Sequence, residues 1–354
     1  MIEIDGSLGE GGGQVLRTSL ALSILTHQAV HLLNVRARRP KPGLAAQHLQ
    51  AVEAAAAICG AEVEGARMGS TAITFSPGKV KPGRYRFEIG TAGATTLVLQ
   101  TIFLPLCLAG APSHVAITGG THVPWSPCFH YLDLQWLTAL KEMGVDTRLT
   151  LDLAGFYPQG GGLIQAAIRP VSSLLPRQMV DRGPLARIRG ISAVANLDAE
   201  IARRQKLQAL RRLEPVCRDT KIETTSLPAH NKGTFILLLA QFEKSQAVYF
   251  SLGELGKRAE RVADEAVEQL LEFLATDGAI DPFLADQLLL PLALADGPSE
   301  IRTSKVTQHL LTNAQVIRAF LPVEIDIDGE MGAPATVKIT PGEGFLFKNG
   351  ANNH

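Results

Sequence analysis

The sequence reads as an α/β (α+β) protein of about three units of similar plan, two in a row and one C-terminal. A smaller α/β domain is inserted between the second and the third. Three observations carry that reading. PLCLAGAPS at 105–113 returns as PLALADGPS at 291–299 with six of nine residues identical, and in both copies an apolar helix runs into a small-residue turn and a short strand. Helices over 44–59 and roughly 129–143 each close on a glycine, Cys59-Gly60 and Met143-Gly144, just before the strand-like AEVEG and VDTRL; glycine adopts the left-handed conformation that ends a helix. Between residues 184 and 280 the composition changes character.

Along the chain, SLALSILTHQAVHLLNV at 19–35 is a weaker copy of the same helix–turn–strand pattern in the first unit. The second unit holds a long uncharged stretch, Ile89 to Leu132. A membrane helix needs about 20 apolar residues in a row; here Gly93, Gln100, Pro105, Gly110 and Pro112 interrupt the run. Alternation over 113–118 reads as a strand, so a buried helix plus strand is expected instead. Residues 1–183 and 281–342 then form one discontinuous large domain. The inserted domain, 184–280, carries a strand (ARIRGISAV), a basic helix at 198–213, a strand pair near 221–250 and an amphipathic helix with Ala259, Val262, Ala266, Leu270 and Leu274 on its apolar face. Arg182-Gly183-Pro184 and Asp277-Gly278 are its joining loops. Residues 343–354 lack periodicity and read as a loose tail.

A chain of 354 residues can bury a sizeable core. Its formal net charge is zero, which excludes a global field that gathers nucleic acid and leaves any such binding to a local patch. Cys59, Cys107, Cys128 and Cys217 are scattered without CxxC spacing, against a zinc site or a disulfide framework and in keeping with a reducing, cytoplasmic setting. Glu3 and Asp5 stand where a secretory signal would be basic.

The residues that could carry chemistry cluster in a few motifs. In GEGGGQVLR, 9–17, three consecutive glycines let the backbone turn sharply and bring bare N–H groups to a phosphate or another strand. Glu10 is a metal ligand or a helix cap there, and Gln14 and Arg17 flank the turn. Arg36, Arg38, Arg39 and Lys41 precede PGL; they are a solvated loop or a set of guanidinium forks for phosphate. Gln47 and His48 lie one turn into the next helix. Gln100, inside the uncharged helix, needs a partner, either a core carbonyl or a nucleotide, and Asp286 and Gln287 in FLADQ raise the same question. GFYPQGGG at 155–162 reads as a turn with Tyr157 packed beneath it. The inserted helix, with Arg203, Arg204, Lys206, Arg211 and Arg212, is an RNA surface or a solvated face. His309, in TQHLLTN, is a structural hydrogen-bonder or a nucleophile.

With GTAGATTLVLQT at 90–101, GGTHVPWSP at 119–127 and FLADQLLLPLALA at 283–295, these motifs, in this order and up to about position 340, resemble the RNA 3'-terminal phosphate cyclase family. The resemblance implies three βαβαββ repeats and ATP-dependent conversion of an RNA 3'-terminal phosphate to a 2',3'-cyclic phosphodiester. It implies His309 as the residue that takes AMP. Gln14, Gln100, Phe283, Leu284, Ala285, Asp286 and Gln287 would bind ATP. Arg17, Arg36, Arg39, Gln47 and His48 would hold the substrate phosphate, and Glu10 a Mg²⁺ or Mn²⁺ ion. Arg38, His122 and the AHNKGT segment at 229–234 depart from the family pattern. Two rivals stand beside this reading. One is a non-catalytic cyclase-like RNA-binding factor, a branch that lacks the histidine. The other is an enolpyruvyl transferase, which should carry anion-binding lysines near its N-terminus; this chain has none before Lys41.

Overall fold

The computed structural model describes residues 1–342; the tail expected at 343–354 lies outside the described residues. The first unit runs β1 (Ile2–Asp5), α1 (Gly13–Thr26), β2 (Val30–Leu33), α2 (Ala46–Cys59), β3 (Glu62–Glu64) and β4 (Ile73–Ser76). The second runs β5 (Arg84–Glu88), α3 (Thr95–Cys107), β6 (Ser113–Gly119), then α4 (Phe129–Tyr131), a π-helical turn (Leu132–Trp136) and α5 (Leu137–Glu142) in series, then β7 (Thr147–Leu153) and β8 (Gly162–Ile168). The third begins with β9 (Gln178–Met179). The chain then leaves for β10 (Leu185–Ala195), α6 (Ala199–Leu213), β11 (Thr220–Ser226), β12 (Gly233–Phe242), β13 (Gln246–Leu252) and α7 (Ala259–Leu274). It returns as α8 (Pro282–Ala293), β14 (Ser299–Thr303), α9 (Gln308–Phe320), β15 (Val323–Asp328) and β16 (Ala335–Pro341). The three sheets, β1-β2-β4-β3, β5-β6-β8-β7 and β9-β14-β16-β15, share one order: first, second, fourth, third. In each the first two strands are parallel and the other pairings antiparallel. Each unit is therefore βαβαββ.

The repeated nonapeptide has a physical reason. Pro105 and Pro291 each lie two residues before the end of their helix, α3 or α8, where each takes one amide out of the last turn and helps to end the helix. Ser113 and Ser299 then open the second strand of their units, both buried. Each hydroxyl accepts the amide just before the unit's first strand, from Gly83 at 3.2 Å and from Arg177 at 3.0 Å. The uncharged stretch holds the expected helix and strand, α3 and β6; α3 is buried along its length apart from Gln100, which is half-buried, and packs on α1 and α2. Among the described residues no helix is long and apolar enough to cross a membrane.

The inserted sheet, β11-β10-β12-β13, is covered on both faces. Ile236 and Leu238 of β12 join α6 and α7 in one core, and Phe235 and Leu237 join the core of the three units. That is why β12 is an almost unbroken apolar run rather than an alternating one. At the joining loops the Arg182 guanidinium donates to the carbonyls of Phe273, Leu274, Thr276 and Gly278 at 2.7–3.2 Å, satisfying the C-terminus of α7 with a cation. The basic helix α6 faces acids. Arg204 pairs with Glu260 at 2.7 Å, Arg212 with Asp264 at 3.0 Å and Arg203 with Glu200 at 2.6 Å. Only Lys206 and Arg211 of the five cations stand outside these pairs, so this face is a salt-bridged seam. His122 is buried where the insert meets the units, stacked on Phe156 and Phe235. Its Nε2 lies 2.9 Å from Nδ1 of His130, and burial drives its pKa well down. Asn231 of the AHNKGT segment donates to the carbonyls of Phe156 and Gly160 and so holds the GFYPQGGG turn.

Candidate active site

The turn between β1 and α1 is where distant parts of the chain meet. A Cβ on Gly13 would lie 2.2 Å from Nε2 of His48 and 3.0 Å from Nη1 of Arg17. A Cβ on Gly9, which has a φ of +58°, would lie 1.9 Å from Oγ1 of Thr312 on α9. Glycine is required here because the side chains of α2 and α9 close on this backbone from both sides.

His309 stands in the first turn of α9, whose N-cap Thr307 accepts from the Leu310 amide at 3.1 Å. Its Nε2 is 3.3 Å from Oε2 of Glu10, and the same oxygen is 3.3 Å from Nη2 of Arg39. Burial lowers the pKa of His309; Glu10 opposes this, and Arg17 and Arg39 add to it. The ring is thus held neutral near pH 7, with a lone pair free on one nitrogen. His48 is driven down to about 3 by burial and by Arg17, Arg36 and Arg39. Burial lowers Arg17 to about 10, against the pull of Asp286, and burial raises the Asp286 carboxyl well above its usual range. His48, 6% exposed, leaves Nδ1 buried without a hydrogen-bond partner, and Oε1 of Gln14 is in the same state. An unpaired ring nitrogen on His48 beside the Arg17 and Arg39 guanidinium groups suits an anion, whereas the Gln14 oxygen calls for a donor.

Glu10, Gln14, Arg17, Arg39, His48 and His309 therefore gather at one turn. Arg36 adjoins them, but its Nη1 donates to the carbonyls of Lys41 and Gly43 at 3.0 and 2.6 Å, which fixes the loop. Arg38 donates to the Gly9 carbonyl at 2.7 Å. Gln47 accepts the Ala94 amide at 2.9 Å and so caps α3. Gln100 finds its partner in Gln287, 2.6 Å away across α3 and α8, a side chain rather than a core carbonyl. Phe283, 48% exposed, opens α8, whereas the Leu284 and Ala285 side chains are buried in the core. Tyr157 is not packed beneath its turn; it is 69% exposed, because Asn231 secures the turn instead. A concavity of about 580 Å³ on the outer face of the second sheet, lined by His114, Arg148 and Arg169 among others, involves none of the gathered residues.

One positioning group beside His309 escaped the sequence reading. Asn313, one turn beyond His309 and buried, accepts from the Thr18 hydroxyl at 2.7 Å and donates to the Asp286 carbonyl at 2.8 Å. This bond pair locks α9 against α1 and α8. An asparagine four residues after His309 in an apolar helix is the signal that could have found it.

The model of the family described as RNA 3'-terminal phosphate cyclase matches residues 8–327. Proteins of that name include one from Archaeoglobus fulgidus, 45% identical over 93% of this chain and 98% of the relative. Another, from Methanopyrus kandleri, is 43% identical over 96% of this chain and 99% of the relative. A third, from Gloeothece citriformis, is 41% identical over 93% and 96%. The enolpyruvyl transferase NikO of Streptomyces tendae aligns with 96% of this chain and 66% of its own at 11% identity with a TM-score of 0.26, too low to bear on the reading. With a family model covering most of its length and full-length relatives above 40% identity, the chain belongs to the RNA 3'-terminal phosphate cyclase family.

Proposed function

We propose that this chain converts an RNA 3'-terminal phosphate to a 2',3'-cyclic phosphodiester at the expense of ATP, through a covalent histidine–AMP intermediate. The observation that carries the reading is His309, held neutral beside Glu10 and Arg39 at the glycine turn. A ring nitrogen attacks the α-phosphorus of ATP; a P–N bond forms and the P–O bond to pyrophosphate breaks. An oxygen of the RNA 3'-phosphate then attacks that phosphorus, and the P–N bond returns its electrons to the ring. The neighbouring 2'-hydroxyl attacks the activated phosphate, loses its proton and expels AMP. Its nucleophile is already tethered, so positioning supplies much of this last step, and a ribose end is required. Arg17, Arg39 and the unpaired His48 ring nitrogen offer the phosphate its contacts; Gln14, Phe283, Gln100 and Gln287 are offered to the nucleotide. Glu10 fits a Mg²⁺ or Mn²⁺ ion, since magnesium is usually held by one or two carboxylates plus substrate phosphates. When bound, such an ion neutralises the leaving pyrophosphate. A cytoplasmic setting belongs to the proposal, supported by four free cysteines.

The test is an RNA oligomer labelled in its 3'-phosphate, incubated with ATP and Mg²⁺ or Mn²⁺. The label should become resistant to phosphatase as AMP and pyrophosphate appear, and acid should restore its sensitivity. Label that stays sensitive while the RNA still binds would favour the non-catalytic RNA-binding factor.

A further inference from the structure

Trp125 is 98% exposed and sits at a φ of +64°. The left-handed region is costly for a bulky residue, and such strain lasts only where the surroundings impose it. Here both feet of its loop are pinned to α3. The Gly120 carbonyl accepts from N and Oγ1 of Thr95 at 2.8 and 2.9 Å, and the Pro127 carbonyl accepts from Oγ1 of Thr96 at 2.8 Å. Between them Val123 is buried against Ala92, Ala94 and Leu97. The loop grips the first turn of α3 and leaves the indole at its apex. Tyr157 stands out from a second loop on the same segment: a Cβ on Gly160 would lie 2.8 Å from Cα of Ala92. The Ala94 amide in turn donates to Gln47, the neighbour of His48. Two exposed rings thus stand on loops that hold a segment bonded in turn to Gln47 of α2, next in sequence to the His48 that closes on the glycine turn.

We propose that Trp125, with Tyr157, is a stacking platform for the bases of the RNA strand that leads into the phosphate-binding residues; this rests on the cyclase reading. Single strands are held with phosphates on cations and bases on exposed aromatic faces. The substrate class follows. Stacking tolerates any base, so the site takes unpaired 3' ends of varied sequence and disfavours ends paired in a duplex.

The chain has two tryptophans, and Trp136 is buried, so quenching by a nucleobase reports Trp125. A 3'-phosphorylated RNA oligomer, without ATP, should quench the fluorescence, and the same oligomer with abasic 3'-terminal nucleotides should not. Trp125→Ala should weaken binding of the intact oligomer about tenfold, the scale of one lost stack, measured by anisotropy of a labelled RNA. Trp125→Phe, which keeps an aromatic face, should recover most of the affinity. Protein adenylylation from ATP alone should be unchanged in Trp125→Ala. Equal affinity in Trp125→Ala, equal quenching by abasic RNA, or quenching by ATP alone as strong as by RNA would overturn the platform; the last would assign the ring to adenine. Wild-type protein that fails to adenylylate, yet shows quenching and its loss, would remove the cyclase reading and leave the platform standing.

Discussion

The first helices of the first and third units, α1 and α8, fill the same place in the same topology and begin in opposite ways. α8 starts on Asp281, fully buried, whose Oδ1 accepts the Phe283 and Leu284 amides at 3.0 and 2.9 Å. The same carboxylate takes the Tyr131 hydroxyl and Nε2 of Gln135, both at 2.9 Å. α1 starts on Gly12, with no side-chain cap and no acid in its first turn, and what faces it are Arg39, Arg17 and His48. A helix N-terminus carries partial positive charge and unpaired amides. Where a carboxylate closes it, the end serves stability; where glycine leaves it bare beside Arg17 and Arg39, it is open to an anion. In the second unit Gln47 closes α3, so one slot of the three stays open.

The comparison can be broken at either end. Arg17→Met removes the half-buried cation beside the open end and should slow the phosphate-transfer steps roughly 10²–10³-fold, as loss of a preorganised charge contact does, with the far-ultraviolet spectrum unchanged; a tenfold effect or less would separate Arg17 from the chemistry. Asp281→Ala removes a cap and orphans buried donors, so a loss of about 2–3 kcal/mol is expected in urea unfolding; a neutral result would mean that end is not closed by the carboxylate. Gly12→Asp makes α1 resemble α8. Its backbone is already extended, and a Cβ would meet only the movable end of Arg39. It should stabilise the fold by up to about 1 kcal/mol while weakening adenylylation several-fold; gain in both would contradict the trade. The smallest effect is on pH. Since the pKa of His309 is lowered from 6.5, adenylylation should hold from alkaline pH past 6.5 and fall only as the ring protonates below it. Glu10→Gln removes the group that favours protonation and should move that fall to lower pH, whatever it does to the plateau. A fall that moves upward would contradict the electrostatics.

What was legible in the sequence was local or repeated. The PLCLAGAPS and PLALADGPS copies declare two units because proline and serine do the same work in each. The strand pair near 221–250 was legible as strands but not as buried on both faces, and the glycine run was legible as a sharp turn but not as one crowded by the side chains of α2 and α9. Glu10, Arg39 and His309 could be gathered beforehand only through the family resemblance, since no spacing along the chain fixes that meeting. Asp281 was missed because its partners Tyr131 and Gln135 lie some 150 residues away and its own neighbourhood, AIDPF, is an ordinary helix start. Tyr157 was misread because what holds its turn is Asn231, in the inserted sheet. Polar bonds that lock elements far apart in sequence leave no periodicity to read.

The most direct measurement is the covalent intermediate itself. Wild type, Gly12→Asp and His309→Ala proteins, each shown to be folded, are incubated with α-labelled ATP and Mg²⁺ or Mn²⁺, without RNA. The account predicts an acid-labile, alkali-stable label on wild type, less on Gly12→Asp and none on His309→Ala. Label that persists on His309→Ala, or none on wild type with either metal, would contradict the claim that the open glycine turn and His309 form one nucleotidyl-transfer site.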